Sequence, residues 1–209
     1  MKRLGLLRHA KSDWDDAAVR DFDRGINDRG RRGAAAIGQH IAAIGYRWDA
    51  IVASPAERVR LTLEASGLSL APQFDERVYL ADAEGLLSVL HAIVGEPEAV
   101  LLVGHNPGLH ELLFRLVDPA TEDPLFTQAA ERFPTAAFAV LELPIDQWRD
   151  LEPGRATLAH FARPRDLSLR RLLCIKAPRF GVGFARQFGA WSIADDQAES
   201  IRRRLVEDD

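Results

Sequence analysis

Arg8 and His9 carry groups that could transfer a phosphoryl group, and they stand directly after a short apolar run, residues 4–7. A second histidine, His105, follows the apolar run 99–103 through a single glycine. A neutral imidazole can attack phosphorus with one ring nitrogen while an acceptor holds the other. Nearby guanidinium groups favour that neutral form and stabilise the charge of the transition state. The pattern therefore indicates transfer of a phosphoryl group onto a histidine.

A third apolar run, residues 50–53, leads through Ser54-Pro55 to Arg58. Near-continuous apolar runs are expected of strands that are covered on both faces. In an open α/β sheet, ligands bind beyond the carboxyl ends of the strands. If the three runs are neighbouring parallel strands, the two histidines and two arginines meet in one pocket. Taken alone, Arg58 could instead be a helix-surface charge paired with Glu57 or Glu64.

The hydrophobic periodicity predicts strands that alternate with helices. Predicted strands cover residues 3–7, 50–53, 99–103, 136–143 and 157–161, with an extended piece near 71–74. Predicted helices cover residues 27–44, 55–66, 83–94 and 107–117. Residues 8–25 and 118–132 are expected to be irregular. The alternation predicts an α/β fold, which we expect to be a three-layer sandwich with a mostly parallel central sheet flanked by helices.

The composition is that of an ordinary globular protein: 209 residues, 47% hydrophobic and 28% charged. The net charge of −4 argues against a nucleic-acid partner. The single cysteine excludes an intramolecular disulfide and a four-cysteine zinc site. We expect no membrane span and no secretory signal, and hence a cytoplasmic location. The oligomeric state stays open.

Residues 164–209 differ from the rest, because their first half is basic and their middle is rich in glycine. We predict one domain at residues 1–163 and a basic C-terminal extension at 164–209, with a short charged helix near 194–206. The extension could pack as an arm or dock a partner.

Four separated segments resemble the signatures of the histidine phosphatase superfamily, the phosphoglycerate-mutase-like group, and especially its SixA-like phosphohistidine phosphatase branch. They are residues 8–12, 54–62, 103–109 and 133–137. The resemblance covers roughly residues 1–163. It implies that His9 is the phosphorylated nucleophile and that Arg8, Arg58 and His105 complete the phosphate pocket. It implies no metal ion and no cofactor.

The general acid that would protonate the leaving group is a separate question. By resemblance, Glu76 matches the position of the family's acid, although the SixA-like branch departs from the larger enzymes here. Glu76 could equally be a solvent-facing carboxylate paired with Arg77, and Asp13 is a weaker alternative. Ser12 could bind the phosphate or cap a turn, and Asn106 could bind substrate or cap the helix that starts at Pro107.

The sequence thus predicts a metal-independent phosphatase with a phosphohistidine intermediate, acting on a phosphorylated protein in the manner of SixA. One alternative is a phosphomonoesterase that acts on a small phosphate ester. The compact loops between the motifs favour an open site and a bulky substrate. Another alternative is a phosphate-binding regulatory module without catalysis.

Overall fold

A computed structural model of the chain describes residues 1–118 and 124–167. Both ranges belong to the same compact unit. The predicted boundary after residue 163 stays a prediction, and the predicted helix at 194–206 lies outside the described residues.

Within these two ranges, the strands form one six-stranded sheet. They are β1 (Lys2–Arg8), β2 (Ala50–Ala53), β3 (Pro72–Phe74), β4 (Ala99–Gly104), β5 (Phe138–Leu143) and β6 (Thr157–Ala162). Their order is β3-β2-β4-β1-β5-β6. The pairs β3-β2, β2-β4 and β4-β1 are parallel, whereas β5 pairs antiparallel with both β1 and β6. The mostly parallel sheet that the sequence predicted is therefore confirmed, and β1, β2 and β4 are adjacent as expected.

Helices cover both faces of this sheet. They are α1 (Asp28–Ala43), α2 (Glu57–Ser66), α3 (Ala83–His91), α4 (Gly108–Leu116) and α5 (Pro124–Glu131). Side chains of β4 alternate between two cores: Val100 and Leu102 pack with α3, α4 and α5, while Leu101 and Val103 pack with α1 and α2. This alternation follows from the period of two along a strand. It completes the three-layer α/β sandwich.

Helix α5 lies within residues 118–132, which the sequence analysis expected to be an irregular loop, and that prediction was wrong. Pro124 is the first described residue of the helix. Leu125, Phe126 and Ala129 then pack against the core. Their helical spacing was the signal that the charged and polar neighbours obscured.

Within residues 1–118 and 124–167, no helix combines the length and the apolar character that a bilayer crossing requires.

Candidate active site

The position of His9 is set by the end of β1. Its backbone N–H donates to the Gly104 carbonyl and its carbonyl accepts from the Ala136 N–H, both at 3.0 Å. The imidazole is 8% exposed, and its Nδ1 lies 2.8 Å from the Ala10 carbonyl oxygen. Because a carbonyl can only accept, Nδ1 carries the proton and Nε2 keeps its lone pair. The ring is thus held in the tautomer that can attack phosphorus through Nε2.

Thr62 ties this turn to helix α2. Its Oγ1 accepts a hydrogen bond from the Ala10 N–H at 2.9 Å and donates one to the Arg58 carbonyl. The side chain is fully buried. A β-branched residue with a hydroxyl therefore couples the backbone beside His9 to the helix that carries Arg58.

Arg58 projects from the first turn of α2 and is 4% exposed. Its Nη2 donates to Asp21 Oδ2 at 2.9 Å, and its Nη1 donates to the Asp21 carbonyl. Tyr79 Oη donates to the same Oδ2 at 2.7 Å. The guanidinium of Arg58 therefore pairs with Asp21, and the alternative pairing with Glu57 or Glu64 is wrong.

Arg8 and Asn106 share one acceptor. Arg8 Nη1 and Asn106 Nδ2 each donate to the Phe133 carbonyl at 2.9 Å. Asn106 precedes a cis bond to Pro107, and Pro107 rather than Asn106 is the N-cap residue of α4. The interpretation of Asn106 as the cap of this helix was wrong, because its amide donates to the Phe133 carbonyl instead.

His105 completes the cluster from the end of β4. It is 3% exposed, its Nε2 shares a 2.8 Å hydrogen bond with Ser54 Oγ, and its ring centroid lies 5.1 Å from that of His9. Ser54 also accepts from the Ala56 N–H at 3.3 Å. The second histidine is therefore fixed by the residue that follows β2.

Burial keeps both imidazoles neutral. It is the main reason that the pKa of His9 is lowered from 6.5 to about 4, with Arg58 and Arg8 adding to the effect and the Ala10 carbonyl opposing it. Burial, followed by the charges of His9 and Arg58, lowers the pKa of His105 to about 3. A neutral His9 is the nucleophilic form, and a neutral His105 is no source of protons for a leaving group.

Asp21 is the acidic residue of the pocket. Burial would raise the pKa of its carboxyl, but the hydrogen bonds from Tyr79 and Arg58 outweigh burial and lower it. The carboxyl is therefore ionised at neutral pH and acts as an acceptor.

These side chains surround a pocket of about 190 Å³. It is lined by Arg8, His9, Lys11, Ser12, Trp14, Asp21, Arg58, Leu80, His105, Asn106 and Thr135.

The fold brings together all of the predicted site residues except Glu76. Glu76 is exposed at the start of a one-turn 3₁₀ helix, Glu76–Val78, and does not line the pocket. Asp13, the weaker alternative, also does not line it, while Arg77 pairs with Asp75.

Ser12 lines the pocket and is 6% exposed. Its backbone forms an isolated antiparallel bridge with Ile26, and its carbonyl accepts from Asn27 Nδ2 at 3.4 Å. Within the described part of the chain, its hydroxyl forms no hydrogen bond that would cap a turn.

Sequence reasoning missed Asp21, Tyr79, Ser54 and the Phe133 carbonyl as parts of the site. Ser54 could have been found, because it directly follows β2. Asp21 stands among many charged residues between 8 and 25 and had no distinguishing neighbour. No pattern in a sequence shows which backbone carbonyl will accept a hydrogen bond from a side chain of the site.

No group of three or more His, Cys, Asp or Glu side chains within 1–118 and 124–167 is arranged to hold a metal ion.

A buried histidine with a free Nε2 lies at the carboxyl ends of parallel strands, beside two arginines and a second neutral histidine. A histidine with these neighbours could act as the nucleophile of a phosphatase. Residues 4–82 match the family described as the histidine phosphatase superfamily (branch 1). An uncharacterized protein of Mycobacterium tuberculosis (strain H37Rv) is 33% identical over 160 residues, which is 76% of this chain and all of that relative.

Two solved structures extend the comparison. A candidate phosphohistidine phosphatase SixA from Agrobacterium tumefaciens is 36% identical, with a TM-score of 0.64 over 78% of this chain and 98% of that one. A similar SixA candidate from Nakamurella multipartitia is 30% identical, with a TM-score of 0.69 over 78% and 96%. This chain belongs to the histidine phosphatase superfamily, in its SixA-like branch, and is a phosphatase.

Proposed function

We propose that this phosphatase hydrolyses phosphohistidine in a protein substrate, through a phosphohistidine intermediate on His9. One observation carries the choice of substrate: within residues 1–118 and 124–167, the pocket lining holds no protonated carboxyl or imidazole that could act as the acid for a leaving group. Asp21 is ionised and held by Arg58 and Tyr79, both histidines are neutral, and Glu76 lies outside the pocket lining. The substrate should therefore be one whose leaving group needs no proton from the enzyme.

A phosphohistidine meets that condition. When its second ring nitrogen is protonated, the substrate imidazole departs as a neutral molecule. His9 Nε2 forms a bond to phosphorus as the bond from phosphorus to the substrate nitrogen breaks. The Nδ1 proton stays on His9 and continues to donate to the Ala10 carbonyl, which stabilises the positive ring of the phosphorylated histidine. A serine or sugar phosphate would instead release an alkoxide, which requires a general acid.

The second displacement balances in the same way. Water forms a bond to phosphorus, the bond from phosphorus to His9 Nε2 breaks, and His9 leaves as a neutral imidazole. Both protons of the water finish on the released phosphate. Arg58 and Arg8 stabilise the phosphoryl oxygens throughout. The proposed reaction uses neither a metal ion nor a cofactor, and we expect a chelator to leave its rate unchanged.

A panel of substrates tests this proposal. A phosphohistidine peptide, a matched phosphoserine peptide and small phosphate esters are compared at equal concentration with the wild type and with His9→Asn. We expect kcat/KM to be highest for the phosphohistidine peptide and lost in the variant. A preference for a small ester would favour the phosphomonoesterase alternative. Specific phosphate binding without turnover of any substrate would favour the non-catalytic module. The cytoplasmic location remains part of the proposal.

A further inference from the structure

The pocket of about 190 Å³ around His9 is called the phosphoryl pocket below. A second pocket, of about 340 Å³, lies beside it, and the two share Lys11 and Thr135 in their linings. We name it the cationic pocket, because its charged lining consists of Lys11, Arg29, Arg32, Arg163 and Arg165. Among the residues that the structure describes, no Asp or Glu belongs to this lining. Concave surfaces of one charge sign concentrate ligands of the opposite sign.

Three of the five cations remain available for a ligand. Arg163 Nε lies 2.7 Å from Asp166 Oδ2, and Arg165 Nε lies 3.8 Å from Asp166 Oδ1. Lys11, Arg29 and Arg32 form no side-chain hydrogen bond or ion pair within residues 1–118 and 124–167, and all three are exposed.

The wall that carries two of these cations is one face of α1. Arg29, Arg32, Gly33 and Ala36 line the pocket with the spacing of a single helix face. Gly30 brings this face against the loop after His9, since a Cβ there would lie 2.4 Å from the Lys11 carbonyl oxygen. Close packing at Gly30 therefore fixes the distance between this face of α1 and the loop after His9.

A second part of the lining is hydrogen-bonded to the backbone of His9. Pro134, Thr135 and Ala136 line the cationic pocket, and the Ala136 N–H donates to the His9 carbonyl. A substrate polypeptide whose phosphoryl group lies at His9 would leave the phosphoryl pocket past Lys11 and Thr135. The substrate residues that flank its phosphohistidine would then face Arg29 and Arg32. The cationic pocket is also larger than the phosphoryl pocket, so it has room for more than one small anionic group.

We propose that the cationic pocket is a second anion-binding subsite that holds acidic side chains flanking the phosphohistidine of the substrate protein. Guanidinium groups suit this task because their planar forks match the geometry of carboxylates. This inference rests on the proposed function and adds a substrate preference to it: phosphohistidine in an acidic sequence context.

The test compares two phosphohistidine peptides that differ only in having Glu or Gln at the flanking positions. The enzymes are the full-length wild type, the double variant Arg29→Gln/Arg32→Gln and the control Arg31→Gln, which changes an exposed arginine of the same helix outside the pocket. We expect the wild type to prefer the Glu peptide by about tenfold in kcat/KM, as expected for two exposed charge pairs, and the double variant to lose this preference. The Gln peptide and 4-nitrophenyl phosphate should be turned over equally by all three enzymes. Salt should weaken the preference.

The outcomes separate the two proposals. If the wild type hydrolyses neither peptide, the proposed function fails, and the acidic context fails with it. Equal hydrolysis of both peptides by the wild type would overturn the subsite alone. If Arg31→Gln lost the preference for the Glu peptide as fully as the double variant does, the preference would be a general effect of charge. That result would also overturn the subsite. A small bisphosphorylated ester serves as a further substrate. If the double variant lost turnover of this ester alone, the subsite would not bind acidic side chains, and its assignment would be wrong.

Discussion

The two neighbouring pockets use the same kind of side chain in different ways. In the phosphoryl pocket, Arg58 is 4% exposed and donates to Asp21, while Arg8 donates to the Phe133 carbonyl. In the cationic pocket, Arg29 and Arg32 are exposed and lie on one face of α1. Fixed, desolvated charges stabilise a transition state without reorganising, whereas exposed charges attract and select a ligand. Substitutions in the first pocket should therefore change turnover, and those in the second should change substrate choice.

The largest effect should follow His9→Asn, which removes the proposed nucleophile, Nε2. We expect turnover to fall on the order of 10⁴-fold or more, as for other covalent nucleophiles. Single-turnover kinetics with a phosphohistidine peptide would measure it. The control is His91→Asn in α3, outside the pocket lining, which should retain activity. Turnover by His9→Asn within a few-fold of wild type would contradict the assignment.

Arg58→Lys keeps the charge but loses the planar fork that reaches both the carbonyl and the carboxylate of Asp21. We expect kcat/KM to fall by about 10²-fold, because the lysine ammonium cannot keep both contacts with Asp21 and also donate to the phosphoryl oxygens in a fixed geometry. Arg60→Lys, at an exposed position of the same helix, serves as the comparison and should behave as wild type. Equal effects of the two substitutions would show that geometry at Arg58 does not matter.

The pH dependence follows from the lowered pKa of His9, about 4. A proton on Nε2 blocks attack, so titration of His9 should lower kcat/KM only below that pKa, by about tenfold per pH unit, whereas protonation of the substrate ring should raise kcat/KM at higher pH. The unfolded histidine titrates at its ordinary pKa of 6.5. Stability should therefore decline as pH falls from 6.5 towards 4, because the unfolded state takes up the proton first.

A pH–rate profile measured with parallel unfolding curves separates the two effects. A fall of kcat/KM as the pH decreases through 6.5, with the protein fully folded, would mean that His9 is not desolvated as described.

Thr62→Val should act on stability more than on chemistry. It leaves the buried Ala10 N–H without its acceptor and removes the bond to the Arg58 carbonyl. We expect a loss of about 1–3 kcal/mol in the free energy of unfolding, measured with urea. Thr62→Ser keeps the hydroxyl and should recover most of this loss. If the serine variant were as unstable as the valine variant, the hydroxyl would not be responsible.

Glu76→Gln should have the smallest effect, less than about twofold in kcat/KM on a phosphohistidine peptide, because this leaving group needs no enzyme acid. A large decrease with that peptide would restore Glu76 as the general acid and would weaken the argument for phosphohistidine.

The comparison of pockets also shows what the sequence could predict. The apolar runs before His9, Ser54 and His105 placed the parallel strands and hence the convergence of the site. They could not reveal Asp21, since its contact with Arg58 joins residues 37 positions apart through an irregular segment. The cationic pocket was equally hidden, because Arg29 and Arg32 read as ordinary charges of a helix surface until the fold places them beside Thr135.

Helix α5 shows a different limit. Its apolar residues are few, and its place in the chain follows a charged stretch, so local pattern favoured a loop while packing against the core favoured a helix. Tertiary contacts decided that segment, as they decided that the Asn106 amide turns to Phe133 rather than capping α4.

The most direct test of the whole account is ³¹P NMR of the phosphoenzyme, trapped by rapid quenching into alkali and mapped by peptide analysis. Because Nδ1 of His9 is bound to the Ala10 carbonyl, we predict a single acid-labile phosphoramidate on Nε2 of His9. Phosphate on Nδ1, on another residue, or on no residue during turnover would contradict the account.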